Sequence, residues 1–152
     1  VASAGNLSGC CISYPAKCNH VIAVGSLNIN GVKAGASSTG PELDVMAGGS
    51  GVLSTTLSGG YGNGNGTSAS SPQVAALAAL MFAVNPNLTP QQVTDIIIQT
   101  ADDLGAAGFD TSYGYGKVNA GNALVAAQGT LGSPSPSPSP SSSPSPSPSC
   151  AP

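Results

Sequence analysis

Apolar residues come first in short unbroken runs and later at helical spacing. The segment "HVIAVGSLNI" (20–29) is a β-branched apolar run, which predicts a buried strand with a turn behind it. "ELDVMAGG" (42–49) and "GVLSTTL" (51–57) read as shorter extended segments punctuated by glycine, and "VASAG" (1–5) as a strand running into a Gly5-Asn6 turn. The glycine-rich stretch Gly60 to Gly66 reads as a loop. Beyond it the period changes. "SSPQVAALAALMFAV" (70–84) is apolar on every face, predicting a helix enclosed by other layers, with Pro72 accommodated in its first turn. "LTPQQVTDIIIQTA" (88–101) carries a start signal: Thr89 as cap, Pro90 at the first helical position and Gln92 closing a capping box. Val93, Ile96, Ile97 and Ala101 then share one face. "VNAGNALVAAQG" (118–129) predicts a third helix, capped by Asn119, with Ala120, Leu124 and Ala127 inward and Gly129 as stop. Strands followed by helices, all apolar, predict an α/β fold of helices layered on a mostly parallel sheet.

Composition narrows this picture. The 152 residues suit one domain, but residues 133–149 read "SPSPSPSPSSSPSPSPS" and offer nothing to a core. The chain therefore divides into a folded part, 1–130, and a Ser/Pro-rich disordered linker or tail, 131–152, of polyproline-II character. Charged residues are only 6% of the chain and the net charge is −3. No basic patch is present to hold nucleic acid, and no apolar run reaches the ~18 residues that cross a bilayer. Cys10, Cys11 and Cys18 lie close together, with Cys150 beyond the Ser-Pro tract. They lack the paired spacing of a zinc site. Two readings stay open: a disulfide from Cys10 or Cys11 to Cys18 in an oxidising compartment, or free buried thiols. Sequons fall at Asn6, Asn65 and Asn87, and Asn87, ahead of a helix, is the one placed for a glycan.

The chemistry concentrates at "GNGTSASSPQVAALAAL" (64–80), where a glycine-rich loop delivers Thr67, Ser68 and Ser70 to the head of an apolar helix. A helix start presents unpaired N–H groups and the positive dipole end, which suits a serine attacking a carbonyl. Taken alone, hydroxyl residues there read as caps. The segment does not match the G-x-S-x-G elbow of α/β-hydrolases.

"GTSASSPQVAA" (66–76) resembles the G-T-S-[MA]-[AS]-x-P-H-V-A-G block of subtilisin-like serine proteases. "SAGN" (3–6) is similar to that family's A-A-G-N, and "YPAKCNHVIAVGS" (14–26) to Y-P-A-x-x-x-x-V-I-A-V-G-A. "GPELDVMAGG" (40–49) resembles G-P-x-L-D-V-x-A-P-G, and "YGYGKVNAGNAL" (113–124) resembles Y-G-x-G-x-V-N-A-x-x-A. These blocks stand in register over residues 1 to about 128. Gln73 replaces His, Ala76 replaces Gly and Gly48 replaces Pro.

The resemblance implies the C-terminal half of a secreted endopeptidase with a three-layer α/β fold, acting on peptide or protein substrates. It implies Ser68 as nucleophile and Asn6 as oxyanion donor beside the Ser68 N–H. Ser3, Ala4 and Gly5 would form the wall and backbone edge along which substrate lies. An oxyanion residue buried in that way excludes a glycan at Asn6. No cofactor is implied for the chemistry. A structural calcium is the one cation suggested, at Glu42, Asp44 and the carbonyls around Ala16, Cys18 and Val21, whereas the bare residues read as two solvated loop acids. The base and its orienting carboxylate belong to the missing N-terminal half of the domain. The lone His20 stands in the wrong order to be that base and reads as a loop or strand-edge residue. This segment alone is then expected to give no turnover. Two other classes compete: a non-catalytic subtilisin-like binding domain, and a Ser/Pro-rich extracellular structural protein.

Overall fold

A computed structural model describes residues 1–57 and 59–130; the Ser-Pro segment and Cys150 lie outside them. A parallel sheet is built from β1 (Ala2–Ser3), β2 (Ala23–Leu27) and β3 (Val45–Gly48), in that spatial order. Next comes an antiparallel hairpin, β4 (Val52–Thr55) with β5 (Tyr61–Gly64). Helices α1 (Thr67–Val84), α2 (Pro90–Gln99) and α3 (Ala120–Gly129) complete the fold.

The sheet explains the unbroken apolar run. Successive side chains of a strand point to opposite faces, and here both faces are covered. Val24, Val45 and Ala47 meet Val74, Leu77 and Met81 of α1, joined by Val93 and Ile97 of α2 and Ala123 and Ala127 of α3. The alternate residues Ala23, Leu27 and Met46 pack on the other side with Ala4, Ile12, Ala16 and Leu43. Each residue of β2 is consequently buried.

Several expectations change on contact with the structure. The 60–66 stretch contains a strand, because β5 pairs through its backbone with Val52–Thr55 and needs no side-chain period. Helix α1 begins at Thr67, three residues before the apolar pattern does, so Pro72 lies past the first turn and deprives the Ser68 carbonyl of its usual N–H. Nor is α1 enclosed. Leu80 is 53% and Phe82 37% exposed, and only the Val74, Leu77, Met81 stripe is seated on the sheet. With 18 residues it is also long and apolar enough to span a membrane, which corrects the reading that no such run exists. It packs on the sheet and α3 along one side only. In α3 the inward residues are Ala123 and Ala127, with Leu124 partly covered, while Ala120 is exposed.

Helix α2 forms as its sequence dictates. The Thr89 hydroxyl accepts from the Gln92 N–H at 3.2 Å, and the Gln92 carboxamide accepts from the Thr89 N–H at 2.8 Å. Thr89→Ala removes the first of these bonds and should lower the unfolding free energy by about 1 kcal/mol. A urea midpoint unchanged from the parent chain would contradict that assignment.

Candidate active site

The three hydroxyl residues at the head of α1 have different fates. Thr67 is fully buried; its Oγ1 accepts from the Gly5 N–H at 3.2 Å and donates to Asn6 Oδ1 at 3.3 Å. Ser70, also fully buried, donates from Oγ to the Ala47 carbonyl at 3.1 Å. Ser68 between them is exposed, and among the described residues neither its Oγ nor its N–H has a partner. None of the three is a local cap. Gly66 occupies the cap position with no side-chain bond, and the first N–H of the helix, that of Thr67, donates to Asn6 Oδ1 at 3.0 Å. The cap comes from residue 6.

That bond decides what Asn6 can do. With Oδ1 engaged by both Thr67 donors, the Nδ2 hydrogens remain as donors. Gly66 sits at φ +120°, and a Cβ there would come within 3.1 Å of Asn6 Oδ1 and 3.2 Å of Nδ2. Glycine is needed for the conformation and for the carboxamide beside it. Asn6 itself is exposed.

Of the proposed wall, Ala4 gives its N–H to Val24 and accepts from Ser13 N–H, both through backbone bonds of 2.9 and 2.8 Å. Gly5 gives its N–H to Thr67 and accepts from Ser38 N–H at 2.9 Å. Both have their backbones committed inside the protein. Since the Ala2 and Ala4 N–H groups point to β2, alternation turns the Ser3 N–H to the outer edge of the sheet. Only Ser3 offers an edge.

Asn6, Gly49 and the head of α1 all lie at the carboxyl ends of the parallel strands, tied together by the Gly66 N–H to Gly49 carbonyl bond of 2.7 Å. His20 precedes β2 and Asp44 precedes β3, so both stand at the other end, roughly 16 Å of strand away. His20 is an exposed loop residue at φ +62°. Among the described residues no imidazole or carboxylate accompanies Ser68.

The cysteines follow neither reading fully. Cys10 is bonded to its neighbour Cys11, and none of the described cysteines is a free thiol. Cys18 is disulfide-bonded as well, which removes the free-thiol alternative.

At the far end, Glu42 pairs with Lys17 at 3.7 Å. Asp44 is half-buried and accepts from the Ala23 N–H at 2.7 Å. These are not two solvated acids. Burial pushes the Asp44 carboxyl up to about 6, opposed by the Ala23 N–H. Both line a cavity of about 230 Å³ with Ala16, Lys17, Cys18 and Val21, and an undercompensated carboxylate there suits a hard cation. Among the described residues no group of three or more His, Cys, Asp or Glu is placed to hold a metal ion.

The sequence profile of the Subtilase family matches residues 1–116. The chain belongs to the subtilase family. It is 44% identical over 123 residues to subtilisin DY of Bacillus licheniformis, covering 78% of this chain and 44% of that protein. It is 38% identical over 120 residues to the halolysin-like extracellular serine protease Nep of Natrialba magadii, covering 79% and 22%. Among solved structures, a protease of Pseudoalteromonas arctica PAMC 21717 superposes with a TM-score of 0.75 at 36% identity, covering 82% of this chain and 41% of that one. This subtilase chain thus spans less than half the length of each of these relatives, and its fold is a partial subtilisin-like α/β domain.

Asp44 gives a pH test. Its folded pKa, about 6, lies above the ordinary 3.8 of an aspartate, so the folded state holds the proton more tightly than the unfolded one. The Asp44 contribution to stability is greatest below about pH 4, falls as pH rises through about 6, and then levels, by about 3 kcal/mol at most. In chelator, Asp44→Asn should flatten this part of the stability–pH curve; a slope identical to that of the parent would show that Asp44 does not cause it.

Proposed function

We propose that residues 1–130 form the part of a secreted serine endopeptidase domain that carries nucleophile Ser68 and oxyanion donor Asn6. The observation that supports the reading is an exposed, unpartnered Ser68 hydroxyl on a helix start whose first N–H, that of Thr67, holds the Asn6 carboxamide at 3.0 Å. Ser68 Oγ attacks the scissile carbonyl and its proton passes to a base. The new oxyanion accepts from Asn6 Nδ2 and from the Ser68 N–H at the positive end of α1. The amine leaves with the proton, and water then releases the acyl group by the same route.

The base and its carboxylate partner come, in this proposal, from the remainder of the domain, and residues 1–130 alone give no turnover. The exposed face of α1 bearing Leu80 and Phe82 is where that remainder packs. Ser3 supplies an edge for an extended substrate, and Ala4 and Gly5 its wall. The family's calcium is assigned to the Glu42–Asp44 loop, where it would displace Lys17 from Glu42 and compensate Asp44. Secretion accords with the oxidised cysteines and with a relative named as extracellular. Residues 131–152 serve as a linker outside the catalytic domain.

The test uses the full-length protein. A fluorophosphonate probe labels Ser68, labelling is lost in Ser68→Ala, and deletion from residue 133 onward leaves it intact. Asn6→Ala lowers kcat about 10²–10³-fold, a magnitude carried over from the subtilisins themselves. Absence of labelling in a folded full-length protein would favour a non-catalytic domain that uses the same cleft to bind.

A further inference from the structure

Ser26, near the end of β2, is fully buried, and its Oγ is the one buried side-chain oxygen or nitrogen among the described residues with no hydrogen-bond partner. Its main chain is fully engaged: the N–H donates to Ser37 Oγ at 3.1 Å and the carbonyl accepts from the Ala34 N–H at 2.8 Å. A buried hydroxyl without an acceptor carries its whole desolvation cost.

The hydroxyl faces Gly49. A Cβ at that position would overlap both Ser26 Oγ and Ser70 Oγ and would lie 2.7 Å from the Gly66 carbonyl. Oxygens from β2, from α1 and from the cap of α1 therefore converge on the space that glycine leaves open. Ser70 has already given its proton to the Ala47 carbonyl, so its oxygen retains accepting capacity. Ala47 is the cross-strand neighbour of Ser26.

We propose that Ser26 is a positioning residue: its hydroxyl, unbonded in the conformation described, turns across the space at Gly49 to donate to Ser70 Oγ and so completes a chain from Ser26 through Ser70 to the Ala47 carbonyl. The chain ties the first turn of α1 to β2 and β3 together, two residues from Ser68. It deepens the proposed nucleophile role, on which its effect on reaction rate rests; the hydrogen bond itself does not depend on that role. Glycine at 49 is the condition for the chain, since any side chain there would part the two hydroxyls.

The test is a double-mutant cycle in the full-length protein, with Ser26→Ala, Ser70→Ala and both together. Ser26→Ala is expected to lower the urea midpoint and to speed hydrogen exchange in the first turn of α1 about fivefold. In the Ser70→Ala background it has no further cost. A rise in midpoint for Ser26→Ala alone would show a hydroxyl with no acceptor, and equal losses in both backgrounds would show a different acceptor; either overturns the bond. For positioning, Ser26→Ala should slow the maximal rate of fluorophosphonate labelling about fivefold at unchanged probe affinity, with partial recovery in Ser26→Cys. An unchanged labelling rate overturns the positioning role. A parent protein that takes no label overturns it as well, through failure of the nucleophile assignment, while the cycle still decides the bond.

Discussion

The bond from the Thr67 N–H to Asn6 Oδ1 joins residues 61 apart in sequence and carries the organisation of the site. A helix start leaves several N–H groups without partners, and the usual remedy is a side chain at the cap position. Gly66 has none. The carboxamide of residue 6 takes that place, so forming the helix start and orienting Asn6 are one event. The asymmetry of the group then matters, since its oxygen is consumed by the helix and its hydrogens are left for something else. The same end of the helix offers the unpaired Ser68 N–H. One long-range bond thus fixes the helix start that carries Ser68 and the orientation of the Asn6 carboxamide.

The layering explains why this junction lies where it does. Each strand of a parallel sheet ends on the same side, and a helix returning across one face begins near a strand's carboxyl end, where open α/β sheets bind their ligands. Gly49, after β3, receives the Gly66 N–H at 2.7 Å, which locks the hairpin exit to the strand it followed. Burial on both faces leaves β2 no side chain for chemistry apart from Ser26, whose hydroxyl points back under the junction. The ionisable groups His20 and Asp44 are displaced to the amino ends, where they line a cavity of about 710 Å³ with Tyr115 and the outer face of α2.

What the chain discloses in advance depends on the range of the interaction involved. Helix α2 is written locally: Thr89, Pro90 and Gln92 specify its start, and Val93 and Ile97 its buried face. The cap of α3 at Asn119 is equally local. Its inward face is not, because alanine gives no contrast between Ala120 and Ala123. Strand β5 is invisible to periodicity since Gly62 and Gly64 have no side chains to alternate, and its ladder is a backbone matter. The start of α1 is hidden for another reason, its cap being a residue 61 positions away. Ser68 and Asn6 stand out as candidates through the G-T-S and A-G-N blocks. That Ser68 lacks a partner while its neighbours have theirs follows only from tertiary contacts, as does the loss of the Ala4 and Gly5 backbones as a substrate edge.

The head of α1 also shows a local cost met by distant bonds. Four Ser and Thr residues within its first five positions, then Pro72, make a poor helix start by propensity, since short hydroxyl side chains compete for backbone groups. Here Thr67 and Ser70 are drawn away from their own backbone. One bridges Gly5 and Asn6, and the other reaches the Ala47 carbonyl. Each such bond nets about 1 kcal/mol, enough to outweigh the propensity deficit of one residue. Replacing both by alanine would give a better isolated helix and a worse junction, because the turn would lose its ties to the Gly5-Asn6 segment after β1 and to β3. The hydroxyls are therefore anchors, and Ser68, the one residue between them with nothing to hold, is left at the surface by the two that are held.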